Sequence, residues 1–190
     1  MTDTPLATTD QLGAYLQQTF DPADPSALLV LKVASAIIRD FLQQEITAVA
    51  GDVVVLDPID GAYGFLPELP VTAVTLFETY DRTTSTWSTA DPTTYAVSTR
   101  LGVVTALSGS GVSWPADPGT WRVTYNHGFA TVPDGLMSVC VSLAARIYVT
   151  EDGIDMERIG GYQVKYQSDA DGFSPLQLKI LGRYISPRIA

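Results

Sequence analysis

At 190 residues the chain is long enough for one domain, or one domain carrying an insertion, and buries about 70% of its unfolded surface without disulfides or a metal. Its net charge of −10, from 11 Lys/Arg against 21 Asp/Glu, argues against sequence-specific DNA binding, because gripping phosphates takes a basic patch. One cysteine, Cys140, forms no internal disulfide, no signal-peptide pattern is read, and no apolar run reaches the ~20 residues of a bilayer crossing; a soluble protein folded in a reducing cytoplasm is expected.

The charge is uneven. Residues 1–157 carry six Lys/Arg against nineteen Asp/Glu, a net −13, while residues 158–190 carry five against two, a net +3. Such a tail suits docking on an acidic surface, either a partner or another copy. Only 17% of residues are charged and mean hydropathy is +0.15, which leaves apolar surface for subunit contacts.

In chain order, residues 1–8 read as a frayed arm. Thr8 and Gln11 then stand at capping-box spacing before a short helix carrying Leu12, Tyr15 and Leu16. Asp21 to Pro25 breaks it, and Asp24 before Pro25 starts a second helix over about 25–45. Leu28, Leu31, Ser35, Ile38 and Leu42 line one face of that helix, widened by Leu29, Ala34, Ile37 and Phe41, with Lys32, Arg39, Asp40 and Gln43 on the remainder. A stripe this wide requires partners on more than one side.

From residue 52 the pattern becomes that of strands: 52–56, 71–80, 94–99, 103–107 and 121–126 are rich in Val, Thr and Tyr. Turn-forming clusters at Asp60-Gly61, Asp81 to Ser85, Asp91-Pro92, Gly109 to Gly111 and Asp117-Pro118-Gly119 separate them. Pro133 and Asp134 open a third helix bearing Leu136, Val139, Cys140, Leu143, Ala144 and Ile147. An acidic loop over 151–157, the Gly160-Gly161 pair and an extended piece over 162–167 follow. Ser174 with Gln177 caps a last helix carrying Leu176, Ile180, Leu181 and Tyr184.

The expectation is an α+β fold: a helical bundle of about four helices, from 8–45 and 131–187, with a small antiparallel β-sheet or barrel over 52–128 inserted between helix two and helix three. Residues 158–190 form a basic C-terminal segment for docking.

Several segments, in order and spread over roughly 8–187, carry a resemblance. They are Ala7-Thr8-Thr9-Asp10-Gln11-Leu12, Ala34-Ser35-Ala36-Ile37-Ile38-Arg39, the proline-marked run from Leu66 to Val74, Val123-Thr124-Tyr125-Asn126-His127-Gly128-Phe129 with Val132-Pro133-Asp134, and Glu157-Arg158-Ile159-Gly160-Gly161-Tyr162. Together they resemble the head-to-tail connector, or adaptor, proteins of long-tailed double-stranded DNA bacteriophages, particularly those of actinobacterial phages. The resemblance implies a homo-oligomeric ring in the virion, twelvefold as is usual in the family. Such a ring stacks on the portal protein and receives a downstream head-completion or tail-terminator protein, and genomic DNA passes through without sequence-specific binding. It implies no catalytic residue, cofactor, metal or membrane. Candidate partner contacts are Arg158, Gly160, Gly161, Tyr162, Lys179, Arg183, Tyr184 and Arg188.

The lone histidine, His127, reads as a polar residue satisfied at a strand end, and Cys140 as a small core residue rather than a nucleophile. Asp57 and Asp60 lie where aspartates make local turn bonds. The acidic stretch 151–157 lacks the ligand pattern of a calcium loop. Trp87, Trp114 and Trp121 read as core of the strand region. The alternative, a carbohydrate-binding or adhesin-like β module of a virion, needs them clustered and exposed.

Overall fold

The computed structural model describes residues 4–109, 111–149, 156–159, 162–165 and 172–185, with the backbone alone described at 156–159 and 162–165. Its described residues divide into two compact units, one within 1–43 and 132–185, the other within 44–131.

In the first unit, α1 (Thr9–Leu16) starts at a complete capping box between Thr8 and Gln11. α2 (Pro25–Leu42) starts where Asp24 accepts from the amides of Ser26 and Ala27 and ends as Gln43 turns left-handed. Ala27, Leu31, Ala34, Ser35, Ile38 and Leu42 are buried on its inner face. α3 (Asp134–Val149) packs against α2 with Leu136, Val139, Cys140, Leu143 and Ala144 inward. Arg39, expected on the polar face, is instead buried, with Nη2 donating to the Thr4 carbonyl at 2.7 Å. Ser35 Oγ accepts the Leu6 amide at 2.9 Å. These two bonds tie down residues 4–7, so that Leu6 and Ala7 are core and this part of the expected frayed arm is anchored.

The hairpin β8 (Met156–Ile159) and β9 (Tyr162–Lys165) follows α3, with Arg158 opposite Gln163 and Ile159 opposite Tyr162. α4 (Pro175–Leu181) begins at the Ser174–Gln177 capping box. Gly135 admits α4 closely, since a Cβ there would stand 3.1 Å from Ile180 Cγ2. Gln177 Nε2 donates to Ser142 Oγ at 2.7 Å, and Leu181 is fully buried.

The second unit holds two antiparallel sheets. The first runs β1 (Val49–Leu56), β7 (Trp121–His127), β3 (Val71–Asp81), β4 (Thr86–Thr89) in spatial order. The second runs β2 (Tyr63–Phe65), β6 (Val103–Ala106), β5 (Tyr95–Ser98). Inward residues alternate cleanly along β7, where Trp121, Val123, Tyr125 and His127 are buried. The first three join Leu56, Leu66, Val71, Phe77 and Val104 in one core. After β7 the chain turns at Gly128 (φ +82°), where any Cβ would collide with the Thr47 carbonyl.

A four-helix bundle with a small sheet spliced into it is therefore not what forms. Among the described residues the fold is a β-rich α+β arrangement: four helices, seven strands in two antiparallel sheets, and the β8–β9 hairpin. The reason is physical. Only α2 and α3 have the length of bundle staves; α1 and α4 are 8 and 7 residues long, about two turns each, too short to run beside them. The strands, for their part, bury a complete aromatic and aliphatic core of their own. Two strands escaped the sequence pattern inside the β region, β2 and β4, and β8 lies partly within the stretch read as an acidic loop.

Candidate interaction surfaces

α2 has two apolar faces. At about 100° per residue, Leu29, Val33 and Ile37 fall opposite the buried Leu31–Ile38–Leu42 line. They are 61%, 40% and 38% exposed. Ala36 and Asp40 share that outer side and Lys32 flanks it. Phe41, read into the same wide stripe, belongs elsewhere, since its ring meets that of buried Phe173 edge-on at 5.2 Å.

A groove of about 390 Å³ lies in the same unit, lined by Tyr15 and Leu16 of α1, Ser142, Ala145, Arg146 and Val149 of α3, and Ser174 and Gln177 at the head of α4. Tyr15 and Val149 are 59% and 67% exposed at this groove. Arg146 donates to the Gly172 carbonyl there. The groove is concave and apolar-rimmed, and Arg146 is the one cation among its described lining residues.

Of the sequence-predicted contacts, Lys179 is exposed on α4, Arg183 is exposed in the turn that follows, and Tyr184 is half-buried. Arg158 lies on β8 and Tyr162 on β9. Gly160, Gly161 and Arg188 lie outside the described residues. α4 already packs on α3, so its outer side is what remains for a partner.

The polar chemistry of the sheet unit is held inside it. His127 is buried, with Nε2 3.3 Å from Asp52 Oδ2, while its Nδ1 and the neighbouring Tyr125 hydroxyl have no partner among the described residues. The satisfied strand-end histidine expected from sequence is thus only half satisfied. Glu68 accepts the Glu45 amide at 2.7 Å. Burial pushes its carboxyl above the ordinary value, opposed by that amide and by His127 and reinforced by the charges of Asp52 and Glu45. Burial likewise raises the Tyr125 phenol and the Cys140 thiol. A thiol held protonated in an apolar interior is a poor nucleophile. Among the described residues no group of three or more His, Cys, Asp or Glu could hold a metal ion. Asp57 reaches across the fold, accepting the Gly119 amide at 2.7 Å, rather than bonding locally.

The tryptophans form no exposed platform. Trp121 is fully buried, and Trp114 stacks on Phe77 at 5.2 Å with an interplanar angle of 14°. Trp87 is half-buried beneath the Arg122 guanidinium, 4.3 Å from its ring centroid. Arg122 in turn makes a bidentate pair with Glu78, both bonds 2.7 Å, which holds the Glu78 carboxyl below the ordinary range.

No family model matches the sequence, and no curated protein does. Solved structures match it almost end to end. A chain in the neck of an empty gene transfer agent particle, computed with sixfold symmetry, superposes with a TM-score of 0.63 at 18% identity, over 96% of this chain and 90% of that one. A chain in the neck of the native particle, computed with twelvefold symmetry, gives 0.58 at 18% identity, over 98% and 96%. A chain of the native virion gives 0.57 at 18% identity, over 99% and 92%. The fold is that of a particle-neck chain.

The outer stripe of α2 was only half visible in sequence. In sequence Leu29 and Ile37 widen one face, yet their spacing with Val33, at i, i+4 and i+8, marks a separate one. The groove had no signal in sequence, because it is built from α1, α3 and α4 together.

Proposed function

We propose that this chain is a structural protein of the head-to-tail junction of a phage-like particle, a ring subunit without catalytic activity. The supporting observation is the near-full-length likeness of its fold to chains from particle necks with sixfold and twelvefold symmetry. The resemblance of its sequence to phage connector proteins agrees. In this reading a homo-oligomeric ring, twelvefold as in the family, stacks on the portal protein and receives a downstream head-completion or tail-terminator protein. The subunit folds in the host cytoplasm and ends in the virion. The basic segment over 158–190 docks on a partner through Arg158, Tyr162, Lys179, Arg183, Tyr184 and Arg188.

The net −13 of residues 1–157 supports a channel that lets DNA slide. Acidic groups facing the lumen repel the phosphate backbone and give it nothing to grip. Deleting the gene tests the proposal. Filled heads lacking tails are expected, and heads that join tails and retain their genomes without the protein refute it.

A further inference from the structure

We propose that the outer stripe of α2 on one copy seats in the α1–α3–α4 groove of the next copy around the ring, an inference that rests on the ring reading above. A cyclic ring is built from heterologous contacts, so each copy must present two unlike faces that fit one another. This chain carries such a pair within one unit. Leu29, Val33 and Ile37 form a convex aliphatic ridge over two turns of a stiff helix, on the side opposite its core. The groove is concave, takes a few aliphatic side chains in its 390 Å³, and has Tyr15 and Val149 exposed at it.

Charge agrees with the fit. The ridge ends in Asp40, exposed on the same side of α2, and the cation among the groove's described lining residues is Arg146. Seating the ridge places an acid at one end of the contact against a base in the other copy, which fixes polarity around the ring. The contact is also small. Three aliphatic side chains cover far less than the roughly 1,200 Å² of a stable free-standing interface. Copies therefore close into a ring where a neighbouring layer holds them side by side, and the ridge sets which face meets which.

Disulfide trapping in assembled particles tests this. The full chain carries Val33→Cys and Val149→Cys together, both at exposed positions, with the native Cys140 buried and silent. Necks purified after mild oxidation are run without reductant. The expected result is a ladder of covalent multimers of this chain up to the full copy number, absent from either single variant. A chain present in the neck that gives no self-ladder, or whose introduced α2 thiol links to a different neck protein, overturns the seating and leaves the ring reading standing. A chain absent from the neck overturns the ring reading, and the seating falls with it.

Discussion

The helical unit and the sheet unit use their apolar residues in opposite ways. In the sheet unit the large aromatics turn inward: Phe77, Tyr95, Trp114 and Trp121 pack ring on ring, and even Trp87 is covered by Arg122. In the helical unit the longest helix buries one face on α3 and leaves a second aliphatic face uncovered. Aromatic residues in a strand-rich region are therefore poor evidence of a ligand platform here. The aliphatic ridge of α2, by contrast, stays 38–61% exposed.

Five variants break or sharpen that contrast, from the largest change in stability to the smallest. Trp121→Ala empties the centre of the sheet core and should cost about 3–5 kcal/mol, seen as a large fall in the denaturation midpoint. A loss under about 0.5 kcal/mol, the range of ordinary surface changes, would mean that the sheet unit is not packed around that ring. Ser174→Ala removes the cap of α4 and should cost about 1 kcal/mol, with hydrogen exchange accelerated at the Gln177 amide and little change elsewhere.

The two glutamates of the sheet unit should respond to pH with opposite signs. Glu68 is held above the ordinary 4.5, so its contribution is fully present below that value and is lost as pH rises through its own raised pKa. Glu68→Gln should therefore raise the melting temperature near pH 7, with the gain fading as pH falls below 4.5. Glu78 is held below 4.5 by Arg122, so its contribution is present above 4.5 and lost as pH falls through its depressed pKa. Glu78→Gln should lower the melting temperature at neutral pH and converge with the parent in acid. Parallel melting curves from about pH 3 to 8, a range spanning both transitions, check the pair, and shifts of the same sign would contradict the account.

The smallest effect on stability should accompany the largest on assembly. Leu29→Glu with Ile37→Glu keeps helix propensity and alters exposed positions, so the fold should change by about 0.5 kcal/mol or less. Incorporation into necks should nonetheless fail, as measured by quantifying this chain in purified particles.

What the sequence made legible was local. Both capping boxes and the Asp24-Pro25 start each depend on a few neighbouring residues, and each stands in the structure. What escaped depends on distant partners. β2 is three residues around Gly64, a glycine because a Cβ there would press within 3.3 Å of Leu56 and Trp121, and such a segment carries no strand period. β4, Thr86-Trp87-Ser88-Thr89, reads as a continued polar turn until Tyr80 and Glu78 pair with it. The burial of Arg39 awaits the Thr4 carbonyl, 35 residues away in sequence. The bundle expected from four helical patterns failed because pattern shows where a helix is, and only length and packing decide whether it is a stave.

Closure into a ring at the head-to-tail junction is what the proposed function requires of this chain. Electron microscopy of the purified full chain mixed with the portal ring of its own particle tests it most directly. A closed ring of this chain stacked coaxially on the portal is the predicted result; single subunits that leave the portal bare would contradict it.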